Sequence, residues 1–316
     1  MHPTFAERVL GFSVGSYSFF AAVGLVVGVV IALRGGEKDG LDRRRLVDLV
    51  LWVLVASLIG SKLAFYLVEW RDYVEQPWTS VDLFGHLQRL PRLLAPWQGG
   101  LVYYGGLLAG FGAAVIYLRR RGGREIGRSL DVAVQGLALG HVWGKLGCFL
   151  AGCCFGKAGG GPFGVSFPEG SVAFERHAEH GLLPVAQDTT YPLHPVQLYE
   201  AAVELVISGV LIFIIAPRRR NAGQLALTYL LLYSATRFVL EFYRGDRDRG
   251  FLGTPDVFVS FNRLIGVDGG SPTVLSVSQL IAVVVCLGAG FIWLLVSQRS
   301  RRTGRGSVTK RDKNRN

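Results

Sequence analysis

Apolar residues fall along this chain in long runs instead of short stripes. Seven runs stand out, at roughly 12–33, 47–69, 100–118, 129–155, 194–216, 223–243 and 275–297. Each is close to the ~20 residues a helix needs to cross a hydrocarbon core of ~30 Å. The pattern predicts an all-α polytopic membrane protein with seven transmembrane helices. Only Arg8 precedes the first run, and neither a basic leader nor a small-residue cleavage pattern is present. That run therefore reads as a retained span. Two connections carry patterns of their own. Between Trp70 and Trp97, Leu83, Phe84, Leu87, Leu90, Leu93 and Leu94 keep helical spacing, which predicts a helix lying in the interface. Residues 156–192 run from a glycine-rich start through VSFPEG to a charged patch, and predict a small extramembrane head with room for short strands.

Charge orients the spans. Basic clusters occupy the first connection (Arg34, Lys38, Arg43, Arg44, Arg45), the third (Arg119, Arg120, Arg121, Arg124, Arg128) and the fifth (Arg218, Arg219, Arg220). The other connections mix signs. The positive-inside bias puts the basic connections and the C-terminus in the cytoplasm, and the N-terminus outside. Residues 1–299 then form one membrane domain whose head, 156–192, lies between spans 4 and 5 on the periplasmic side. Residues 300–316 form a basic cytoplasmic tail, expected to be disordered. From Arg299 into that tail, as far as Arg315, eight basic residues face a single Asp312. The net charge of +11 thus reads as flanks against anionic lipid, and no nucleic-acid partner is expected.

Composition adds little beyond this: half of the residues are hydrophobic, as spans require. The four cysteines include no C-x-x-C, so neither the common zinc spacing nor the common redox motif applies, and no metal or cofactor is expected. Cys286 reads as a small residue within an apolar run.

Polar residues inside the runs are more informative, because a charge at mid-bilayer costs about 2.5–3.5 kcal/mol on insertion scales. On a helix His141, Gly144, Lys145, Cys148 and Gly152 share one face. With the orientation above, the outer half of the second span holds Lys62. The outer end of the third holds Tyr103 and Tyr104, and that of the fourth holds Lys145 and Cys148. His194, Gln197, Tyr199 and Glu200 open the fifth. Arg237, Glu241 and Arg244 close the sixth, at offsets of four and seven. Singly, these residues have plain explanations: Arg237 with Glu241 as an intrahelical ion pair, His194 as a capping residue beside Pro195, the tyrosines as an interfacial belt. A common depth on five spans predicts a shared cavity instead. There Lys62, Lys145, Arg237 and Arg244 outnumber Glu200 and Glu241. Cations in low dielectric bind phosphate oxygens well, and a phosphate at this depth is most naturally a lipid headgroup.

The motifs WQGGLVYYGGLLAG, GKLGCFLAGCCFGK followed by PFGVSFP, LHPVQLYEA and RFVLEFYRGD together resemble the prolipoprotein diacylglyceryl transferase family of bacterial inner membranes. The resemblance implies a seven-span bundle with a periplasmic head. It also implies transfer of diacylglycerol from phosphatidylglycerol to the lipobox cysteine thiol of a prolipoprotein signal peptide, forming a thioether. Arg237, Glu241, His194, Gln197, Tyr199, Glu200 and Gly156 keep the family pattern. Tyr104 stands where the family usually has histidine, Lys145 replaces an arginine, Cys148 an asparagine and Cys153 an acidic residue. The first-span tyrosine aligns with Phe19 or Phe20, with Tyr17 close by.

The expected roles follow from this resemblance. Tyr104, Arg237, Glu241 and His194 are catalytic candidates, with Tyr104 or His194 as the base. Lys145, Arg237, Arg244 and Lys62 hold the phosphate. Cys148, Gly156, Gln197, Tyr199 and Glu200 line the pocket. Two alternatives stay open: a divergent relative that binds lipid or serves another acceptor, and a periplasm-facing thiol redox protein using Cys148, Cys153 and Cys154.

Overall fold

A computed structural model describes residues 4–5, 14–83, 86–92, 100, 102–121, 125–183, 188–245 and 276–313. Its long elements are helices at all seven predicted places: α1 (Ser16–Lys38), α2 (Arg43–Val68), α4 (Tyr103–Arg120), α5 (Ile126–Ala151), α7 (Val196–Gly209), α8 (Gln224–Leu240) and α9 (Val277–Lys313). The short helices α3 (Trp70–Glu75) and α6 (Val172–Glu179) lie in connections. Among the described residues, five helical stretches are long and apolar enough to cross a membrane: Ser16–Lys38, Arg43–Val68, Val196–Arg218, Gln224–Tyr243 and Val277–Gln298. Their outer faces are apolar, with Trp52, Leu58, Phe213 and Leu287 all exposed. In water such faces would aggregate, so the chain is a polytopic membrane protein. α4 and α5 fall outside the five. They are the helices diluted by Tyr103 and Tyr104, by several glycines, and by His141 and Lys145.

The chain divides into two compact units, residues 36–129 and residues 1–35 with 130–316. In the first, α2 packs on α4 through small residues. A methyl group on Gly105 would strike Ala64 and the Gly60 carbonyl, and one on Gly110 would strike the Ser57 hydroxyl. Such surfaces let helix backbones approach closely where lipid offers no hydrophobic contrast. Among the described residues, the helix expected between Trp70 and Trp97 is confined to its first turns. α3 stops at Glu75, and β3 (Trp78–Leu83) pairs antiparallel with β4 (His86–Pro91). Pro77 explains the break, since it cannot donate into a helix and pushes Gln76 off the helical region, to φ −125°. Beyond it, Thr79 and Val81 favour a strand. Leu93, Leu94 and Trp97 lie outside the described residues. A smaller ribbon, β1 (Thr4–Phe5) with β2 (Val14–Gly15), precedes α1 in the other unit.

In that other unit α1 meets α5 at glycines. A methyl on Gly24 would lie 3.0 Å from the Trp143 Cβ and within contact of the Gly140 carbonyl, and Gly28 faces Gly136 in the same way. α5, α7 and α8 share a core of Val134, Ala138, Ile207, Leu211, Leu225, Ala226 and Tyr229. Fully buried Asp131 locks this packing. It accepts from the backbone N–H of Gly223 (2.8 Å) and of Ala226 (3.0 Å), so α5 caps the N-terminus of α8. Segment 152–194 closes over a second core of Phe155, Phe167, Ala173 and Leu193. It holds α6, capped by Ser171, and isolated bridges such as Val165 to Leu193. α9 runs on past its apolar part through the basic stretch to Lys313, where a disordered tail was expected.

Candidate functional site

Two helices carry ionisable residues one turn apart, and the fold sets them face to face. His141 and Lys145 lie on α5, Glu200 and Glu204 on α7. Lys145 Nζ is 2.9 Å from Glu200 Oε2. His141 spans both carboxylates, its Nε2 3.7 Å from Glu200 Oε1 and its Nδ1 3.0 Å from Glu204 Oε1. From α8, Arg237 reaches Glu200 Oε2 at 3.5 Å and, at i+4, Glu241 Oε2 at 2.8 Å. The Tyr229 hydroxyl donates to Glu204 (3.4 Å), and the Ser276 hydroxyl donates to Glu241 (2.9 Å). Glu200 is only 3% exposed, and Glu204 and Glu241 are as deeply buried. Each ion has taken a partner, as burial demands.

Lys145 and Arg237 thus share one carboxylate, and Glu204, not among the residues expected at the site, joins Glu200 and Glu241 on the acidic side. Glu204 was legible as the i+4 partner of Glu200. His141 was legible on the polar stripe of α5. Ser276 carries no signal of its own.

Arg244, Gly156, Gln197, His194 and Tyr199 belong to the same unit as this ladder. The α8 helix ends at Leu240, a 3-10 turn covers Glu241–Tyr243, and Arg244 is extended at ψ 135°. Arg244 therefore leaves the helical face predicted for it, and is buried beside Gly156, with which it forms a backbone bridge. The Gly156 N–H donates to the His194 carbonyl at 3.0 Å, and a Cβ there would lie 2.5 Å from that oxygen. Gly156 is thus a crossing point of three backbone segments, and glycine alone fits. Gln197 donates from Nε2 to the Cys153 carbonyl at 2.7 Å, tying α7 to the turn after α5. His194 stands between Tyr199 and Tyr243, with ring centroids 6.2 and 5.3 Å away, and its Nδ1 is 3.4 Å from the Tyr199 hydroxyl. Burial, and then the Lys157 charge, lower the pKa of His194 and keep the ring neutral.

Cys148 is buried at the last turn of α5, and Cys153 and Cys154 follow that helix. All three are free thiols. Cys154 has φ 60°, the one described non-glycine residue in the left-handed region. That conformation costs an ordinary residue roughly 1–2 kcal/mol. Tyr17 and Phe20 on α1 both pack against Gly147 of α5, beside Cys148.

Lys62 and Tyr104 belong to the other unit. Lys62 is buried on α2 over the rings of Phe65 and Tyr66, at 4.9 and 5.1 Å. Tyr104 sits in the first turn of α4 with its side chain exposed.

Membrane helices joined by a buried ladder of paired charges define the class: a multi-pass membrane protein with a polar centre among its helices, and in such proteins buried ionisable groups mark where polar substrates are handled. The prolipoprotein diacylglyceryl transferase model matches residues 4–295, and the chain belongs to that family. Among its relatives are phosphatidylglycerol–prolipoprotein diacylglyceryl transferase 2 of Clostridium perfringens, 26% identical over 82% of this chain and 90% of the relative. The transferase of Clostridium tetani is 25% identical over 84% and 96%. That of Roseobacter denitrificans is 29% identical over 76% and 79%.

Proposed function

We propose that this protein transfers the diacylglyceryl group of phosphatidylglycerol to the lipobox cysteine of prolipoproteins, in the bacterial cytoplasmic membrane. The family match across residues 4–295 carries the reading, and the buried Lys145–Glu200–Arg237–Glu241 chain supplies a site of suitable chemistry. In the same reading seven spans cross the membrane, with the N-terminus and the 156–192 head on the periplasmic side and the C-terminus in the cytoplasm.

The reaction forms a bond between the acceptor sulfur and the glycerol carbon that bears the phosphate. The C–O bond to phosphate breaks, glycerol phosphate departs with its electron pair, and the thiol proton passes to a base. Lys145 and Arg237 neutralise the phosphate, helped by Arg244, and Glu241 orients Arg237. In the resting protein Glu200 holds the two cations that the phosphate later engages, so it is a positioning residue. Lysine offers a point charge where an arginine would offer a planar fork, so Lys145 binds phosphate without bidentate geometry. His194 suits the base because it is neutral. Tyr104 is the second candidate, standing at the position the family usually fills with histidine.

Complementation of a host depleted of its own transferase tests the whole reading. Growth and lipoprotein modification should be restored by the intact chain and lost with Lys145→Ala. An inactive but well-inserted intact chain would overturn the assignment. An active Lys145→Ala would overturn the phosphate clamp alone.

A further inference from the structure

The three cysteines that distinguish the end of α5 are unused by the chemistry above. Their sulfurs all lie within 4.8 Å of one another. Three thiolates around one ion at about 2.3 Å stand roughly 4 Å apart, so the set is already close to a ligating arrangement. Cys148 is buried, while Cys153 and Cys154 are partly so. Cys153 Sγ also lies 3.8 Å from the Cys148 carbonyl, which turns the two residues toward each other. A second, independent observation is the backbone of Cys154. A non-glycine residue at φ 60° is uncommon, and such strain persists where the surroundings hold a side chain for a purpose. Gly152, two residues earlier, is also left-handed at φ 75°, so the chain doubles back sharply enough to return two sulfurs to the helix end. The Gln197 bond to the Cys153 carbonyl fixes that turn.

We propose that Cys148, Cys153 and Cys154 form a three-thiolate site for a soft, thiophilic cation, copper(I) being the ion that fits best. Thiolates select soft ions, and structural zinc is almost always four-coordinate. Among the described residues the set offers three ligand atoms and no fourth. Binding forms three metal–sulfur bonds, releases the thiol protons to solvent and changes no oxidation state. The resulting negative charge falls beside Lys145 and Arg244, the charged neighbours of Cys154. The site does not depend on the transferase reading.

The test uses the full-length protein in detergent, kept anaerobic, freed of reductant and titrated with copper(I) against a chromophoric copper(I) chelator. One ion per chain is expected, with three sulfur scatterers by X-ray absorption. Cys286→Ser should bind like the wild type. Cys154→Gly removes the sulfur and the backbone strain together, so a chain at least as thermally stable should result. Its affinity should fall by more than the roughly 10–100-fold typical of losing an outer-shell partner. Cys153→Ser should behave likewise. Equal affinity in wild type and Cys154→Gly would overturn the site. So would a disulfide among the three in protein purified without oxidant. Zinc held in preference to copper(I), with an added nitrogen or oxygen donor, would overturn the three-sulfur geometry.

Discussion

Two helix interfaces in this protein solve the same problem by opposite means. α2 and α4 meet through Gly60, Gly105, Gly110, Ser57 and Ser61, so their backbones come close and little else is needed. α5, α7 and α8 meet through Lys145, Glu200, Glu204, His141 and Arg237. Small residues suffice to hold helices together in a membrane, and they carry no desolvation penalty. Buried ions are therefore unnecessary for packing, and replacing such a pair with apolar side chains often stabilises a protein. The contrast supports the proposal: the α2–α4 contact is a joint, and the α5–α7–α8 contact is where the proposed site lies.

The sharpest way to break that contrast is Glu200→Ala. It would leave Lys145 and Arg237 buried without their shared carboxylate, and losing one partner of a buried pair costs about 3–5 kcal/mol. Unfolding in detergent should show a loss of that size. Lys145→Met with Glu200→Met should recover most of the stability and none of the activity. Failure of the double variant to recover would mean that the ladder is chiefly structural.

Next in size is Arg237→Ala. If the guanidinium neutralises the departing phosphate, turnover should fall by about 10²–10³, the range found when one preorganised donor is removed. Release of glycerol phosphate from phosphatidylglycerol vesicles with a lipobox peptide measures this. Arg237→Lys should retain part of the activity, since lysine keeps the charge and loses the fork. Full activity in Arg237→Ala would move the phosphate site elsewhere.

How far these residues could be read in advance depended on what carries the signal. Run length placed all seven long helices, because a bilayer sets one length scale. Spacing of four placed His141 beside Lys145 and Arg237 beside Glu241, since periodicity within one helix is local information. Which helix faces which is not local. The pairing of Lys145 with Glu200 therefore had to come from the fold, and with it the place of Glu204 beside His141. Periodicity also misled where an element ended early. Arg244 was extrapolated past the end of α8, and Leu83, Leu87 and Leu90 were read as helical across a break that Pro77 imposes.

A smaller effect probes the joint. Gly60→Ala would press a methyl against Ala109 and to 2.6 Å from the Gly105 carbonyl. Overpacking of this kind costs about 1–3 kcal/mol. The melting temperature should drop, while activity per folded molecule stays within about twofold, in contrast to Arg237→Ala. A selective loss of turnover in a stable Gly60→Ala chain would erase the distinction between joint and site.

The smallest effect concerns pH. His194 has its pKa lowered by burial first and by Lys157 second. A histidine depressed in the folded state stabilises the fold fully above the unfolded value of about 6.5, and that contribution is lost as pH falls through the lower folded value. Acidification below about 6.5 should therefore weaken the protein slightly. His194→Gln should flatten this slope, and Lys157→Gln should shift it toward neutral pH by removing the secondary cause. If His194 is also the base, the acid limb of the activity profile should follow the same shift in Lys157→Gln. A stability slope that moves while the activity limb stays put would leave His194 as part of the aromatic packing around Tyr199 and Tyr243, and would point to Tyr104 for the proton.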